Sequence, residues 1–216
     1  GELGITVDAY VESIGPVSIS MDRFNLEEAR RNPTGMPDAE ASAQAEEYLQ
    51  KCIENQDSAG GVVSCKVHGM PAGIGEPVFD KLDACLGQAV MSIGAVKAFA
   101  VGDGCEVSKK NGSTNNDAFC NVNGQISKKT NHAGGILGGI SDGSDIILRA
   151  YFKPTPSIYQ KQQTVNQAGE EIEIQIKGRH DPIVVSRAVV VVEAMTAVTI
   201  LDELLRNMTS RLDGIK

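Results

Sequence analysis

Residues 181–207, "DPIVVSRAVVVVEAMTAVTILDELLRN", are the stretch that decides the fold. Asp181 followed by Pro182 is a strong helix start, with aspartate at the N-cap and proline in the first turn. The segment is apolar nearly all round, which is typical of a helix inside a protein. Arg187 and Glu193 interrupt it before about 20 apolar residues have passed, so we predict a buried central helix and not a membrane span.

The segments before this helix alternate between strand and helix patterns. Residues 3–20 predict a strand, a Gly-Pro turn and an extended segment, and the residues from Asp38 place apolar side chains along one stripe of a helix. Another helix is predicted at "FDKLDACLGQAVMSI", and strands at "GGVVSCKVHG", "AVKAFAVGDG", "SDIILRAYF" and "GEEIEIQIKG". Together they indicate an α+β fold with sheets packed on helices. The polar segment 108–130 is predicted to be a mobile loop.

Composition and charge narrow the class of protein. The chain has 216 residues, of which 41% are hydrophobic, enough for a substantial core of a soluble globular protein. With 28 acidic and 20 basic residues and no long run of like charge, it is not expected to bind nucleic acid. Its five cysteines form no C-x-x-C pair, which predicts reduced, buried thiols and a cytoplasmic location. Three histidines dispersed in the sequence give no reason to propose a metal site, and the N-terminus has no signal-peptide pattern.

One basic segment stands out in this acidic chain. Residues 152–158 read "FKPTPSI" and follow a predicted strand. Pro154 and Pro156 stiffen the backbone from which Lys153, Thr155 and Ser157 project. An ammonium and two hydroxyls suit a phosphate or a carboxylate, because hydrogen bonds to an anion are strong. The alternative is an ordinary surface turn, in which proline and serine are common.

Two further segments leave two interpretations open. The glycine-dense "GGILGGISDG" at 134–143 fits neither common nucleotide-binding fingerprint, so it is either a tight turn or a backbone that a ligand can approach closely. "KGRHDP" at 177–182 places Arg179, His180 and Asp181 at the entrance of the last helix, where an anion is favoured. Asp181 is either a helix cap or a proton-handling carboxylate. Lys153–Ser157 and Arg179–Asp181 would form one anion-binding and proton-handling site if they meet in space, which sequence spacing alone does not show.

Five motifs in order resemble chorismate synthase. They are "MPAGIGEPVFDKLDA" at 70–84, "MSIGAVKAFAVGDG" at 91–104, "NHAGGILGGISDG" at 131–143, "FKPTPSI", and "KGRHDPIVVSRAVVVVEAM" at 177–195. The resemblance extends over nearly the whole chain, to about Arg206. It implies a single domain, residues 1–216, that is the C-terminal part of a longer chain. The family's Gly-Glu-Ser-His-Gly motif, its second catalytic histidine and several substrate-binding arginines are not in this sequence.

The resemblance also implies a reaction. Chorismate synthases are lyases that eliminate phosphate in a 1,4-anti fashion from 5-enolpyruvylshikimate 3-phosphate, giving chorismate for aromatic amino acid biosynthesis in the shikimate pathway. Their cofactor is reduced FMN, used without net redox change, and NADPH is a possible source of the reduced flavin. The family fold is a β-α-β sandwich, with antiparallel sheets around a central helical layer, assembled as a homotetramer. An alternative is that this piece is a non-catalytic FMN-binding or oligomerisation module.

Residue roles follow from the resemblance position by position. The FMN-binding positions of the family fall on Gly94, Ala95, Gly138, Lys153, Pro154, Thr155, Pro156, Ser157 and Arg179. Asp181 matches an aspartate that handles protons near the flavin. Two departures bear on this assignment. Gly94 stands where asparagine is common, so one polar contact is expected to be lost, and Cys105 replaces a usual phenylalanine.

Overall fold

A computed structural model of the chain describes residues 3–178 and 181–210. These residues pack as two compact units. The first unit holds the described residues of Gly1–Ala9, Ser64–Ala150 and Val190–Lys216, and the second holds Tyr10–Val63 and Tyr151–Val189, less the two undescribed residues. The single domain over residues 1–216 that the sequence analysis expects stays a prediction.

Eleven strands and five α-helices are found in the described residues. The strands are β1 (Thr6–Ile14), β2 (Val17–Ser18), β3 (Gly61–His68), β4 (Val96–Val101), β5 (Phe119–Val122), β6 (Gln125–Lys128), β7 (Ile136–Leu137), β8 (Ile140–Ser141), β9 (Ile146–Phe152), β10 (Gln162–Val165) and β11 (Glu171–Ile174). The helices are α1 (Leu26–Ala29), α2 (Ala39–Glu54), α3 (Leu82–Met91), α4 (Gly112–Asn115) and α5 (Val185–Met208), with short 3-10 helices at Met21–Arg23 and Gly104–Lys109. This content confirms the α+β class.

One five-stranded sheet, ordered β2-β1-β3-β9-β4, is the largest in the described residues. Its strands supply completely buried side chains, Val11, Ile14, Val63, Cys65, Val67, Ile146 and Leu148 among them. The predicted N-terminal pattern is confirmed: β1 and β2 are antiparallel and pair Ser13 with Ser18 and Ile14 with Val17 across the Gly15-Pro16 turn. Gly15 has φ +52°, a conformation that glycine adopts at little cost.

Helix α2 begins where the sequence predicts it. Asp38 is the N-cap and accepts hydrogen bonds from the backbone N–H groups of Glu40 (3.1 Å) and Ala41 (3.2 Å). The same buried carboxylate accepts from Ser20 N–H at 2.9 Å and from Arg23 Nε and Nη2 at 3.0 and 2.9 Å. Burial would raise the pKa of Asp38, but these hydrogen bonds outweigh it and lower the pKa to about 2.

Helix α5 differs from the predicted buried central helix in two ways. It begins at Val185, four residues after Asp181, and it buries only one face, on which Val185, Ala188, Val192, Thr196, Ile200 and Glu203 lie. The opposite face is apolar but exposed, with Val190 at 64%, Val198 at 63% and Leu205 at 53% of full exposure. The described chain therefore covers half of this helix. No helix of the described residues has the length and apolarity to cross a membrane.

The polar segment 108–130 carries regular structure, contrary to its interpretation as a loop. It contains α4 and a hairpin in which β5 and β6 pair Phe119 with Lys128 and Val122 with Gln125. Asn123 (φ 52°) and Gly124 (φ 86°) form the two-residue turn, which requires positive φ at both positions. The mobility of this segment stays a prediction.

Candidate functional site

The lysine-proline segment, residues 153–158, follows β9 directly and lies in the second unit. Ser58 Oγ donates to the Thr155 carbonyl at 2.7 Å, and Gln162 Nε2 donates to the Pro156 carbonyl at 3.0 Å. Gly60 allows the segment to approach closely, because a Cβ there would lie 2.6 Å from the Phe152 carbonyl oxygen. Side chains and backbone from elsewhere in the unit thus hold the stiff backbone that the prolines predict.

The side chains of this segment are suited to an anion. Lys153 is exposed and forms no ion pair with any residue of 3–178 or 181–210. Thr155 Oγ1 is buried, yet it has no hydrogen-bond partner among the described residues. A buried hydroxyl without a partner costs about 1–3 kcal/mol, so native proteins seldom keep one without a reason. A ligand oxygen that accepts from Thr155 would remove this cost, and Lys153 would supply the matching charge.

Asp181 is not the N-cap of α5, which corrects the sequence interpretation. The Val184 carbonyl accepts the first helical hydrogen bonds, from the N–H groups of Arg187 (3.2 Å) and Ala188 (3.0 Å). The Pro182 carbonyl instead accepts from Ala59 N–H at 2.8 Å, so a tertiary hydrogen bond holds the Asp-Pro pair outside the helix. The Asp181 carboxylate pairs with Arg187, which is largely exposed.

Ser157 and Asp181 line one pocket of about 280 Å³ in the second unit. The rest of its lining is Ile53, Gln56, Asp57, Ser58, Ile158, Tyr159 and Pro182. The structure therefore brings together Ser157 and Asp181, one residue from each of the two segments that sequence spacing could not connect. Among the described residues that line it, the pocket has two carboxylates and no lysine or arginine, so this described lining suits hydroxyl or protonated groups better than a phosphate.

Gly94 and Ala95 form the turn between α3 and β4 in the first unit. Val96 N–H donates to the Ile93 carbonyl at 3.2 Å and closes the turn. Ala95 has φ +70°, which is unfavourable for a residue with a Cβ. Above Gly94 there is open space, since no atom lies within 4 Å of a Cβ built there. The turn is strained and accessible.

Gly138 lies at the tip of the β7–β8 hairpin, also in the first unit. Gly138 (φ +61°) and Gly139 (φ +89°) are the central residues of a two-residue turn, which confirms the tight-turn interpretation. Their surroundings differ. A Cβ on Gly139 would lie 2.5 Å from Lys81 Cγ, whereas one on Gly138 would meet nothing within 4 Å. The space beside Gly138 is therefore open, and the close approach of a ligand to it stays a prediction.

The predicted site residues fall in different parts of the structure. Lys153–Ser157 and Asp181 are in the second unit, and Gly94, Ala95 and Gly138 are in the first. Arg179, like His180, lies outside the described residues. Sequence reasoning missed Ser58 and the C-terminal end of α2, because their role depends on tertiary contacts with residues 155–159 that have no local signal.

The cysteines differ in accessibility. All five thiols are free; Cys52 and Cys65 are buried, Cys85 and Cys120 are partly buried, and Cys105 is exposed. The prediction of buried thiols is thus correct for two and wrong for Cys105. Burial raises the pKa of the Cys65 thiol to about 12, so this thiol stays protonated.

Comparisons with known proteins agree with the motifs. The family model described as chorismate synthase matches residues 1–205. A chorismate synthase of Lachnoclostridium phytofermentans is 59% identical over 216 residues, which are 100% of this chain and 59% of that protein. One of Agathobacter rectalis is 56% identical over 213 residues, 99% of this chain and 58% of that protein.

A solved structure shows the same fold. A crystal structure of chorismate synthase matches with a TM-score of 0.78 and 26% identity, over 96% of this chain and 59% of that one. The chain thus spans about 59% of the length of the relatives that it matches. With a family match over residues 1–205 and a shared fold, the chain belongs to the chorismate synthase family.

Proposed function

We propose that this chain is the flavin-binding part of a chorismate synthase. The reaction of the whole enzyme is the 1,4-anti elimination of phosphate from 5-enolpyruvylshikimate 3-phosphate, with reduced FMN as cofactor. One observation beyond the family match carries the proposal: Thr155 has a buried hydroxyl without a described partner, beside the exposed Lys153. An FMN phosphate accepts hydrogen bonds and carries the opposite charge to Lys153, so it fits these donors.

The backbone positions fit a flavin as well. Gly138 and Gly94 have open space where a side chain would otherwise project, and a planar ring system needs such close access to backbone. Pro154 and Pro156 restrict the segment before a ligand arrives, so less conformational entropy is lost on binding. We assign Lys153 and Thr155 to the phosphate; Gly94, Ala95, Gly138 and Ser157 are assigned to the cofactor by the resemblance. Arg179 is assigned with them on the resemblance alone.

Asp181 is proposed as the residue that handles a proton. Its carboxylate lines the pocket beside Ser157 and pairs with Arg187. An ionised carboxylate is ready to accept a proton. Reduced FMN, when bound, supplies electron density to the substrate. Asp181 holds or returns a proton nearby, and the chain excludes water and fixes orientation.

The other implied properties are proposals of the same kind. Assembly as a homotetramer is consistent with the exposed apolar face of α5, because monomers rarely leave so many large apolar side chains in water. The remaining 41% of a relative's length is the other candidate to cover that face. NADPH as a source of reduced flavin and a cytoplasmic location stay proposals, as does the absence of nucleic-acid and membrane partners.

A second candidate is a non-catalytic FMN-binding or oligomerisation module. The chain spans only about 59% of its relatives, and the resemblance places the family's catalytic histidines outside it. For the isolated 216 residues we therefore expect FMN binding without chorismate formation. Both candidates predict FMN binding. A binding measurement therefore does not separate them, but a positive result excludes a purely structural role for the chain.

Anaerobic titration with FMN, followed by flavin fluorescence, tests the proposal. The wild-type chain should bind one FMN per chain, and Lys153→Ala should weaken binding. Lys161→Ala is the matched control, because Lys161 is an exposed lysine whose ion pair with Glu173 lies on the β10–β11 hairpin. Equal affinity of the wild type and Lys153→Ala would remove Lys153 from the site. No binding by any variant would overturn the proposed flavin site.

A further inference from the structure

The loop that carries Gly138 is built from glycines in unusual backbone conformations. Gly134 and Gly135 have φ +66° and +81°, and Gly102 passes so close that a Cβ on it would lie 2.1 Å from the His132 carbonyl oxygen. Glycine loses more conformational entropy on folding than any other residue. A loop of this composition therefore needs hydrogen bonds or ion pairs with residues outside it to keep one conformation.

Asp117 accepts the most direct of these hydrogen bonds from the loop. Its Oδ1 accepts from His132 N–H at 2.7 Å and from Thr130 Oγ1 at 2.7 Å, and its Oδ2 accepts from Ala133 N–H at 2.9 Å. Both carboxylate oxygens are thus used, and two of the three donors are backbone groups at the start of the loop. Burial would raise the pKa of Asp117, but the hydrogen bonds outweigh it and the pKa is lowered. The carboxylate stays ionised, in the form that accepts most strongly.

Contacts of Asp103 and Lys128 also hold this loop. Asp103 Oδ2 contacts His132 Nδ1 at 2.6 Å and also pairs with Lys110, while Asp103 N–H donates to the His132 carbonyl at 2.9 Å. At the other end of the loop, Lys128 forms a nearly buried ion pair with Asp142. All of these residues belong to the first unit, as Gly138 does. Asp117 and Lys128, both in the segment 108–130, therefore hold the two ends of the glycine loop, residues 131–143.

We propose that Asp117 is a positioning residue for the flavin site: it fixes the start of the glycine loop and thereby presents the open Gly138 turn to the cofactor. The inference rests on the proposed function. It assigns a role to the segment 108–130, which sequence reasoning took for a mobile loop. Asp117 acts through His132 and Ala133 and not by touching the flavin.

Asp117→Asn tests the inference because an amide replaces one of the two acceptor oxygens with a donor. One N–H or hydroxyl then faces another donor, and the loop should loosen. We expect FMN affinity to fall by about tenfold or more, the scale of one lost charge-assisted hydrogen bond. Glu106→Gln is the matched control: it removes one negative charge from an exposed pair with Lys109 and should change nothing.

Hydrogen exchange of the flavin-free chain gives a readout that does not depend on binding. In Asp117→Asn the amides of His132 and Ala133 and of the Gly138 turn should exchange faster, while those of β9 should not. Thr130→Val is a milder variant that keeps both backbone ties, and it should shift affinity and exchange in the same direction by less. It serves if Asp117→Asn does not fold.

The outcomes separate the two claims. A wild-type chain that binds FMN, together with an Asp117→Asn variant that binds as tightly, would overturn the positioning role alone. Unchanged exchange in the loop would overturn it too. A wild-type chain that binds no FMN would overturn the proposed function and this role with it, and loss of binding in Lys153→Ala but not in Asp117→Asn would leave only the proposed function standing.

Discussion

Replacing Thr155 by valine should change stability and flavin affinity in opposite directions. The substitution keeps the branched shape of the side chain and removes only the hydroxyl oxygen. In the described structure that oxygen is buried and has no partner, while the Thr155 carbonyl keeps its hydrogen bond from Ser58 at 2.7 Å. The valine side chain therefore loses no hydrogen bond that the described residues provide.

The magnitudes follow from the state of the hydroxyl. An unsatisfied buried polar group costs about 1–3 kcal/mol, so its removal should raise the free energy of unfolding by about 1 kcal/mol. If the flavin phosphate accepts from Thr155, the variant loses a hydrogen bond to a charged group, worth about 1.5–3 kcal/mol. That corresponds to an affinity about 10- to 150-fold weaker.

Urea unfolding and anaerobic FMN titration measure the two effects on the same preparations. Thr164→Val is the matched control, because Thr164 is an exposed residue of β10 and should change neither quantity by much. A Thr155→Val variant that is less stable than the wild type would show that the hydroxyl has an internal partner. Unchanged FMN affinity would refute its assignment to the phosphate, whatever the stability.

Four further predictions concern single residues. Lys153→Ala should weaken FMN binding by a few kcal/mol if its contact is desolvated, and Lys161→Ala should not, as titration will show. Asp181→Asn should reduce turnover in a complete enzyme while changing the urea midpoint little, because its ion pair is largely exposed. The pKa of Asp38 is lowered to about 2, so its stabilisation is complete above about pH 4 and is lost as the pH falls towards 2; Asp38→Asn should remove that dependence in urea unfolding across this range. Ala95→Gly should raise the free energy of unfolding, measured by thermal denaturation, by up to about 1 kcal/mol, because glycine adopts the positive φ of this position without strain.

Elements whose hydrogen bonds join residues close in sequence could be predicted from short stretches of that sequence. Asp38 caps α2 as its sequence suggests, since the capping bonds lie within three residues. The β5–β6 hairpin also had a local signal, Asn123-Gly124, which is typical of a two-residue hairpin turn and was overlooked in a polar, lysine-rich context.

Tertiary contacts explain what sequence reasoning got wrong. Asp181-Pro182 is a good helix start by its composition, but the hydrogen bond from Ala59 to the Pro182 carbonyl holds it outside the helix, and α5 begins at Val185. The exposed face of α5 is another case, because an apolar sequence predicts burial without saying what covers it. At the site, the residue types of Lys153–Ser157 were readable, whereas the contact of Ser58 with Thr155 was not, since about a hundred residues separate them.

The most direct test of the central claim is chorismate formation by a hybrid enzyme. In the chorismate synthase of Lachnoclostridium phytofermentans, the region matched by this chain would be replaced by its 216 residues, which are 59% identical. Under anaerobic conditions with reduced FMN and 5-enolpyruvylshikimate 3-phosphate, the hybrid should form chorismate, the hybrid with Lys153→Ala should form much less, and the 216-residue chain alone should form none. A folded hybrid that binds FMN but makes no chorismate would contradict the account, as would chorismate made by the isolated chain at a rate near that of an intact enzyme.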